Sequence, residues 1–254
     1  MIKELKKDKL ICRIFHSRKE MGKYAAKDIH DAIIALLSEK DSINMIFAAA
    51  PSQNDVLESL ISMNDITWDR INAFHMDEYI GLADDAPQRF GNFLENAIFG
   101  KVPLKSVNYI NGNTADIEGE CKRYSKLLSE NPVDIVCLGI GENGHIAFND
   151  PGVAKFDDKV IIKPAELDLV CRNQQVNDGC FAKLEDVPTT ALTLTIPALT
   201  AGKYMFCVVP GTTKANAVTS TMTGPITEDC PATALRLHDN AILYCDADSG
   251  KNLI

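Results

Sequence analysis

Although the chain carries eight cysteines (Cys12, Cys121, Cys137, Cys171, Cys180, Cys207, Cys230 and Cys245), no two stand in a C-x-x-C pair, and several lie inside apolar runs. That spacing argues against a zinc site and against a disulfide framework, and favours reduced thiols in the cytoplasm. No stretch is long and apolar enough to suggest a membrane span. The N-terminal MIKELKKDKLICRIF also lacks the apolar centre of a secretory signal. Basic residues are the minority, 26 Lys and Arg against 35 Asp and Glu, for a net charge of −9. A general nucleic-acid or anionic-membrane surface needs basic patches, so neither partner is expected. An anionic ligand would need a local cluster of donors instead. Neither a Walker lysine loop nor G-x-S-x-G is present, which counts against serine hydrolysis, and no nucleotide-binding motif is expected.

With 254 residues, 46% of them hydrophobic, the chain can bury a large core, and one α/β domain over 1–254 is expected. Leu10 to Phe15 (LICRIF) reads as a first strand. In Arg18 to Lys40, Met21, Ala25, Ile29, Ile33 and Leu37 recur at helical spacing. Ile43 to Ala50 (INMIFAAA) reads as a buried strand running into Pro51-Ser52-Gln53-Asn54 and a helix. A strand, a small-residue turn and a helix start make an anion cradle, because unpaired N–H groups and the helix dipole point at the turn. The β-then-α rhythm continues through a helix at Gln88 to Phe99 opened by Arg89, which could act as a lid. There follow a strand near Val107 to Ile110, a helix from Asp116 to Leu128, and the strand Val133 to Leu138. Further strands are expected at Lys159 to Lys163, Thr189 to Ile196 and Lys203 to Pro210. A helix at Lys214 to Met222 follows, and the tail holds a short helix and a final strand, AILYC. Cys171 to Gly179 (CRNQQVNDG) is a polar stretch.

Three places carry chemistry. In Leu138 to Gly152 (LGIGENGHIAFNDPG) an apolar strand gives way to Gly139, Gly141 and Gly144, so His145 and Asp150 stand beyond its carboxyl end. Open α/β sheets bind ligands at that edge. A lone His among glycines can equally be a loop residue bonded to a carbonyl. Ile71 to Tyr79 (INAFHMDEY) is expected as one strand delivering Asp77 and Glu78 at its end. Alternation puts Ala73, His75 and Asp77 on one side, which reads as a cleft wall. Phe74, Met76 and Glu78 fall on the other, which reads as core. The third place is Gly211-Thr212-Thr213-Lys214, a second anion cradle with a lysine for charge. Acids, a histidine and a charge anchor suit moving protons on a sugar phosphate.

FHMDEYIGL (Phe74 to Leu82), INGNTADIEGECKRY (Ile110 to Tyr124) and LGIGENGHIAFNDPG resemble, in order and spacing, three signature segments of the glucosamine-6-phosphate deaminase family. ALTLTIPAL (Ala191 to Leu199) and VVPGTTKANAV (Val208 to Val218) extend the likeness. The resemblance implies a Rossmann-like α/β fold with a mainly parallel sheet flanked by helices. It further implies conversion of an amino-sugar 6-phosphate, foremost glucosamine 6-phosphate, to fructose 6-phosphate and ammonia without a cofactor or metal. Asp77 then resembles the base that moves a proton from carbon 2 to carbon 1, and His145 the acid/base for ring opening. Asp150 stands where a Glu is usual, and Asn143 where many members have Asp. Lys214 matches a phosphate lysine. Ala50, Ser52 and Gln53 correspond only loosely to the phosphate loop, because AAAPSQN replaces the usual glycines. No arginine occurs at the family's phosphate position near Gly179-Cys180-Phe181, leaving Arg172 and Arg89 as substitutes. Some members assemble into homo-oligomers, for which this sequence offers no motif.

Three alternatives stay open from sequence. The first is a galactosamine-6-phosphate enzyme. The second is a 6-phosphogluconolactonase-type hydrolase, which has no use for a carbon-bound proton shuttle. The third is a sugar-phosphate sensor that keeps the pocket without the chemistry.

Overall fold

The computed structural model describes all 254 residues. Its main sheet has eight strands: β1 (Lys3–Lys7), β2 (Leu10–Ile14), β3 (Ile43–Phe47), β4 (Ile71–His75), β6 (Ser106–Asn108), β7 (Ile135–Leu138), β10 (Tyr204–Val209) and β11 (Ala241–Cys245). Their spatial order is β1-β2-β11-β10-β7-β3-β4-β6. All pairs are parallel except the β1–β2 hairpin. Strand β1 is absent from the sequence expectation because KELKK is almost wholly exposed and carries no apolar alternation.

The central strands alternate between two apolar layers, as strands covered on both faces must. Ile135 and Cys137 of β7, with Phe206 and Val208 of β10, face the layer filled by helices α1 (Arg18–Glu39) and α2 (Asn54–Ile61). Val136, Leu138, Met205 and Cys207 face the opposite layer. There they meet α4 (Ile117–Glu130), α6 (Ile196–Thr200) and α7 (Ala215–Thr223). Helix α1 presents Met21, Ala25, Ile29, Ile33 and Leu37 inward, the residues its spacing singles out. Each large aliphatic side chain so covered contributes about 1.5–3 kcal/mol. The chain leaves β3 toward β4 and leaves β7 toward β10, in opposite directions across the sheet. A topological switch point therefore lies between the carboxyl ends of β3 and β7.

A second sheet is antiparallel and three-stranded, ordered β5 (Asp77–Tyr79), β9 (Thr190–Leu194), β8 (Ile162–Glu166). The expected single strand over Ile71 to Tyr79 is thus two, divided at Met76 and placed in different sheets. His75 makes the division. The Tyr124 hydroxyl accepts from the His75 backbone N–H (3.1 Å) and donates to its carbonyl (2.8 Å), taking both groups out of ladder pairing. The His75 ring bridges the Asp77 carbonyl through Nδ1 (2.8 Å) and the Ile110 N–H through Nε2 (2.9 Å). Burial lowers its pKa to about 4, so it is a neutral structural imidazole. His75 and Ala73 are both wholly buried, which corrects the cleft-wall reading of that side.

Glu78 is also structural. Its carboxylate accepts the backbone N–H groups of Tyr79 (2.9 Å), Phe90 (3.0 Å) and Gly91 (2.9 Å), holding the start of α3 (Phe90–Leu94). Burial raises its pKa, and the three N–H groups oppose that rise. Glu78→Ala would strand three buried donors. We expect a loss of about 2–4 kcal/mol in denaturant unfolding, against a much smaller loss for Glu78→Gln, which keeps one acceptor oxygen.

Candidate active site

The switch point opens as a cleft whose walls come from the turn after β3, from Met76 and Asp77, from the loop after β7, and from Gln174, Gln175, Asp178 and Lys214. A wider depression lined by Ile196, Lys203, His238 and Asn240 lies at the amino ends of β10 and β11, and none of Asp77, His145 and Asp150 lines it.

The loop from Gly139 to Asp150 contains no helix. Gly139, Gly141 and Gly144 do have G-x-G-x-x-G spacing after a strand, contrary to the expectation of no nucleotide motif. That fingerprint needs a helix opening at its third glycine to receive a pyrophosphate, and here a tight turn follows instead. The glycines serve the histidine. A Cβ on Gly141 would sit 2.2 Å from His145 Cε1, and Gly144 has φ +86°, a conformation that favours glycine. The Gly141 N–H donates to the His145 carbonyl at 2.9 Å, closing the turn. Ala147, also on the cleft, has φ 51°, a left-handed backbone unusual for a residue with a side chain.

Asp150 reaches His145 despite being one methylene shorter than the resemblance anticipates. Its Oδ1 lies 2.8 Å from Nδ1, at ion-pair distance but off the direction of a straight hydrogen bond, so Nδ1 is left without one. Burial opposes charge on Asp150, yet His145, Asn143 and the Cys171 thiol outweigh it and hold the carboxyl below its usual range. Asn143 ties the arrangement together. Its Oδ1 accepts the His145 N–H at 3.0 Å, while Nδ2 faces Asp150 Oδ1 at 2.9 Å and Asp168 Oδ2 at 3.2 Å. A carboxylate at position 143 would set a third negative charge against those two, which accounts physically for the amide.

Asp77 is 6% exposed, and its carboxylate accepts no hydrogen bond. Burial, reinforced by the Glu78 charge, pushes its pKa well above the usual carboxylate range. The pairing Asp77↔Thr193 in the second sheet fixes its place. The same Thr193 Oγ1 accepts the Phe148 N–H at 3.1 Å, so one side chain couples the Asp77 strand to the His145 loop.

Ala50, Ser52 and Lys214 also line the cleft. Gln53 supports them from behind, its Nε2 donating to Ser52 Oγ (3.1 Å) and the Val208 carbonyl (3.2 Å). Gly139 crosses close by, where a Cβ would approach Gln53 Nε2 to 3.3 Å. Lys214 is 5% exposed, and burial lowers its pKa against the raising influence of Asp178 and Glu142.

The two arginines expected to substitute at the phosphate end lie elsewhere. The Arg89 guanidinium donates to the Asp84 carbonyl and carboxylate and borders a separate recess with Tyr109 and Asn111. Arg172 donates to the carbonyls of Leu184 and Val187. Each is committed to holding its own loop, so neither meets the cleft. Gln174, Gln175 and Asp178, by contrast, line the cleft without having been singled out from the sequence. They lie on or just after helix α5 (Leu169–Asn177), whose signal was the capping residue Asp168, accepting the Cys171 N–H at 2.6 Å.

Gly141→Ala is expected to drive the His145 ring from its place. It should cost about 1–3 kcal/mol in unfolding and shift the His145 imidazole resonances in NMR, as overpacking at a close contact does. Unmoved resonances would contradict this account of the glycine.

A family model described as "Glucosamine-6-phosphate isomerases/6-phosphogluconolactonase" matches residues 16–244. The glucosamine-6-phosphate deaminase of Streptococcus suis (strain 05ZYH33) is 36% identical over 195 residues, covering 77% of this chain and 81% of the relative. That of Clostridium acetobutylicum is 34% identical over 239 residues, covering 92% and 96%. Among solved structures, a monomeric glucosamine-6-phosphate deaminase superposes with a TM-score of 0.85 at 29% identity, covering 94% of this chain and 98% of that one. A 6-phosphogluconolactonase from Thermotoga maritima superposes at 0.76 with 20% identity, covering 94% and 100%, a likeness of fold alone. With a switch-point cleft built from the same segments that the sequence picked out, the chain belongs to the glucosamine-6-phosphate isomerase/6-phosphogluconolactonase family.

Proposed function

We propose that this chain is a glucosamine-6-phosphate deaminase, converting an amino-sugar 6-phosphate and water to the ketose phosphate and ammonia. The observation that carries the reading is Asp77. A buried carboxyl without a hydrogen-bond partner, its pKa raised by desolvation, faces the same cleft as the His145–Asp150 pair. Ester hydrolysis needs one base to activate water, a role His145 can fill, whereas moving a carbon-bound proton as well as opening the ring calls for a second. The relatives named glucosamine-6-phosphate deaminase support the same reading.

His145 lies on the cleft with Asp150 behind it, so it can take the proton from the sugar's anomeric hydroxyl and return one to the ring oxygen, opening the ring. Asp77 then removes the proton from carbon 2 of the open aldehyde while a proton of the substrate's ammonium passes to the aldehyde oxygen, giving an enolamine, and Asp77 delivers the carbon-bound proton to carbon 1. The resulting imine at carbon 2 adds water and releases ammonia, leaving the ketose. The reaction is redox-neutral overall and needs no redox cofactor. Lys214, Ser52 and nearby backbone N–H groups hold the 6-phosphate. Asn143 positions the His145 loop. These groups run from Ser52 to Lys214, and we read residues 1–254 as one catalytic domain. All come from one chain, so the chemistry asks for no second copy. No helix is long and apolar enough to cross a membrane, and a phosphorylated substrate fits a cytoplasmic enzyme.

Assay of glucosamine, galactosamine and mannosamine 6-phosphates for ammonia and ketose phosphate tests the reaction, and glucosamine 6-phosphate is expected to turn over fastest. In heavy water, solvent hydrogen should appear in the sugar's carbon-bound positions, and its complete absence would favour the lactonase chemistry.

Asp77→Asn is expected to lose roughly 10²- to 10⁴-fold in kcat. For the wild type, kcat/KM should rise with pH through a carboxyl pKa above the ordinary value, because only ionised Asp77 is a base. Stability runs the other way. The folded protein holds the Asp77 proton to higher pH than the unfolded chain, so the neutral acid's contribution is full at low pH and fades as pH rises through the folded pKa. Asp77→Asn should therefore unfold a few degrees higher than wild type at pH 8, about 2–6 °C. An equal or lower melting point would argue against a charged buried acid there.

Lys214→Met is expected to raise KM for the phosphosugar roughly 10²-fold with little change in kcat, since a distant anchor binds substrate and transition state alike.

A further inference from the structure

Helix α5 buries three side chains, Cys171, Gln174 and Gln175, whose i, i+3, i+4 spacing puts them on one face. The start of that face is docked on the His145 loop. Asp168 meets Asn143 Nδ2 at 3.2 Å, and the Cys171 thiol, a His145 ring nitrogen and an Asp150 carboxylate oxygen all lie within 4.8 Å of one another. The other end of the helix reaches the turn after β3, where Asp178, Gly179 and Cys180 line one hollow with Ala49 and Pro51. The helix thus runs from the proton-transfer groups toward the anion cradle. Its two buried amides differ. Gln174 is committed to the fold, its Oε1 accepting the Glu142 N–H at 2.8 Å and its Nε2 donating to Asp178 at 3.3 Å. Gln175 is 8% exposed and lines the cleft, and its backbone is pinned, the carbonyl accepting the Cys180 N–H at 2.9 Å. Its side-chain amide has no hydrogen-bond partner in the protein and is not sealed from the cleft. An amide so nearly buried and unpaired costs stability, so the fold alone does not account for it.

We propose that Gln175 is a specificity-determining residue that hydrogen-bonds a hydroxyl at the middle of the substrate's carbon chain, on carbon 3 or carbon 4. This rests on the amino-sugar reading of the site and adds which part of the sugar is recognised. Gln175 stands about 6 Å along the helix axis beyond Cys171, and Asp178 about 10 Å beyond it, a length that accommodates an extended hexose chain and its phosphate ester. Gln175 therefore falls between the groups that work on carbons 1 and 2 and the cradle for the 6-phosphate. A neutral amide both donates and accepts, as a hydroxyl does, whereas an ionised phosphate only accepts.

The test measures kcat/KM for glucosamine 6-phosphate and its 3-deoxy and 4-deoxy analogues in the wild type and in Gln175→Met, which keeps the length and removes both hydrogen-bonding atoms. Gln175→Leu repeats it with a second apolar side chain. The wild type should lose about 10- to 100-fold for one of the two analogues, and Gln175→Met a similar factor for glucosamine 6-phosphate, because removing either partner leaves the other unpaired. The two losses should not multiply: on that analogue, Gln175→Met should stay within about threefold of the wild type. Losses that multiply for both analogues, or a wild type indifferent to both deoxy substitutions, would overturn the proposal. Calorimetric titration with glucitol 6-phosphate and its 3-deoxy and 4-deoxy counterparts needs no turnover and separates the two readings. Weaker binding of one deoxy compound by the wild type, with no such difference in Gln175→Met, supports the role of Gln175 even if no hexosamine phosphate is deaminated. Equal discrimination by both proteins refutes it even if ammonia is released.

Discussion

The cleft depends on the antiparallel pairing of β5 with β9. That pairing brings Asp77 opposite Thr193, and Thr193 then accepts the Phe148 N–H from the loop carrying His145. Asn149 adds a second tie, its Nδ2 donating to the Leu194 carbonyl at 2.7 Å. Asp77 and the His145 loop, from distant parts of the chain, thus share one strand as their common support. Sites that must hold a reacting carbon between a base and an acid need such rigidity, because a small misplacement is costly in rate.

Three buried acids in this region show how environment sorts identical chemistry. Glu78 is surrounded by backbone N–H donors and becomes a structural cap. Asp150 meets an imidazole, an amide and a thiol, and is held ionised below its ordinary range. Asp77 meets nothing that donates, and burial lifts its pKa. Only the last is pushed toward the protonated form by its surroundings. Divergent environments of neighbouring carboxyls are what separate an acid or base from a fixed charge.

Much of this was legible in the sequence. Apolar periodicity located α1 and the central strands, because elements covered by a thick core must carry uninterrupted apolar faces. The glycine-histidine segment and the acidic pair stood out since both follow apolar strands abruptly. Other features were hidden for physical reasons. The break at Met76 depends on Tyr124, 48 residues later, capturing the His75 backbone, a tertiary contact that no local pattern reports. Strand β1 lacks an apolar face, and α5 reads as polar because its inner side lines a cleft rather than a core. Arg89 and Arg172 looked available by charge alone. Their guanidinium groups had already been claimed by loop carbonyls and Asp84.

The shorter acid at position 150 follows from the same economy of space. Asp150 is wholly buried among His145, Asn143 and Cys171, so a longer side chain would need room that packed neighbours do not leave. The Gly141–His145 turn brings the imidazole back over the loop, and Ala147 takes a left-handed conformation that carries the chain round toward Asp150. Helix α5 completes the enclosure: Asp168 caps it and meets Asn143, while Cys171, one turn on, lies against the Asp150 carboxyl. The shorter acid thus sits enclosed by an amide, a thiol and a tight turn, with its carboxylate 2.8 Å from the ring.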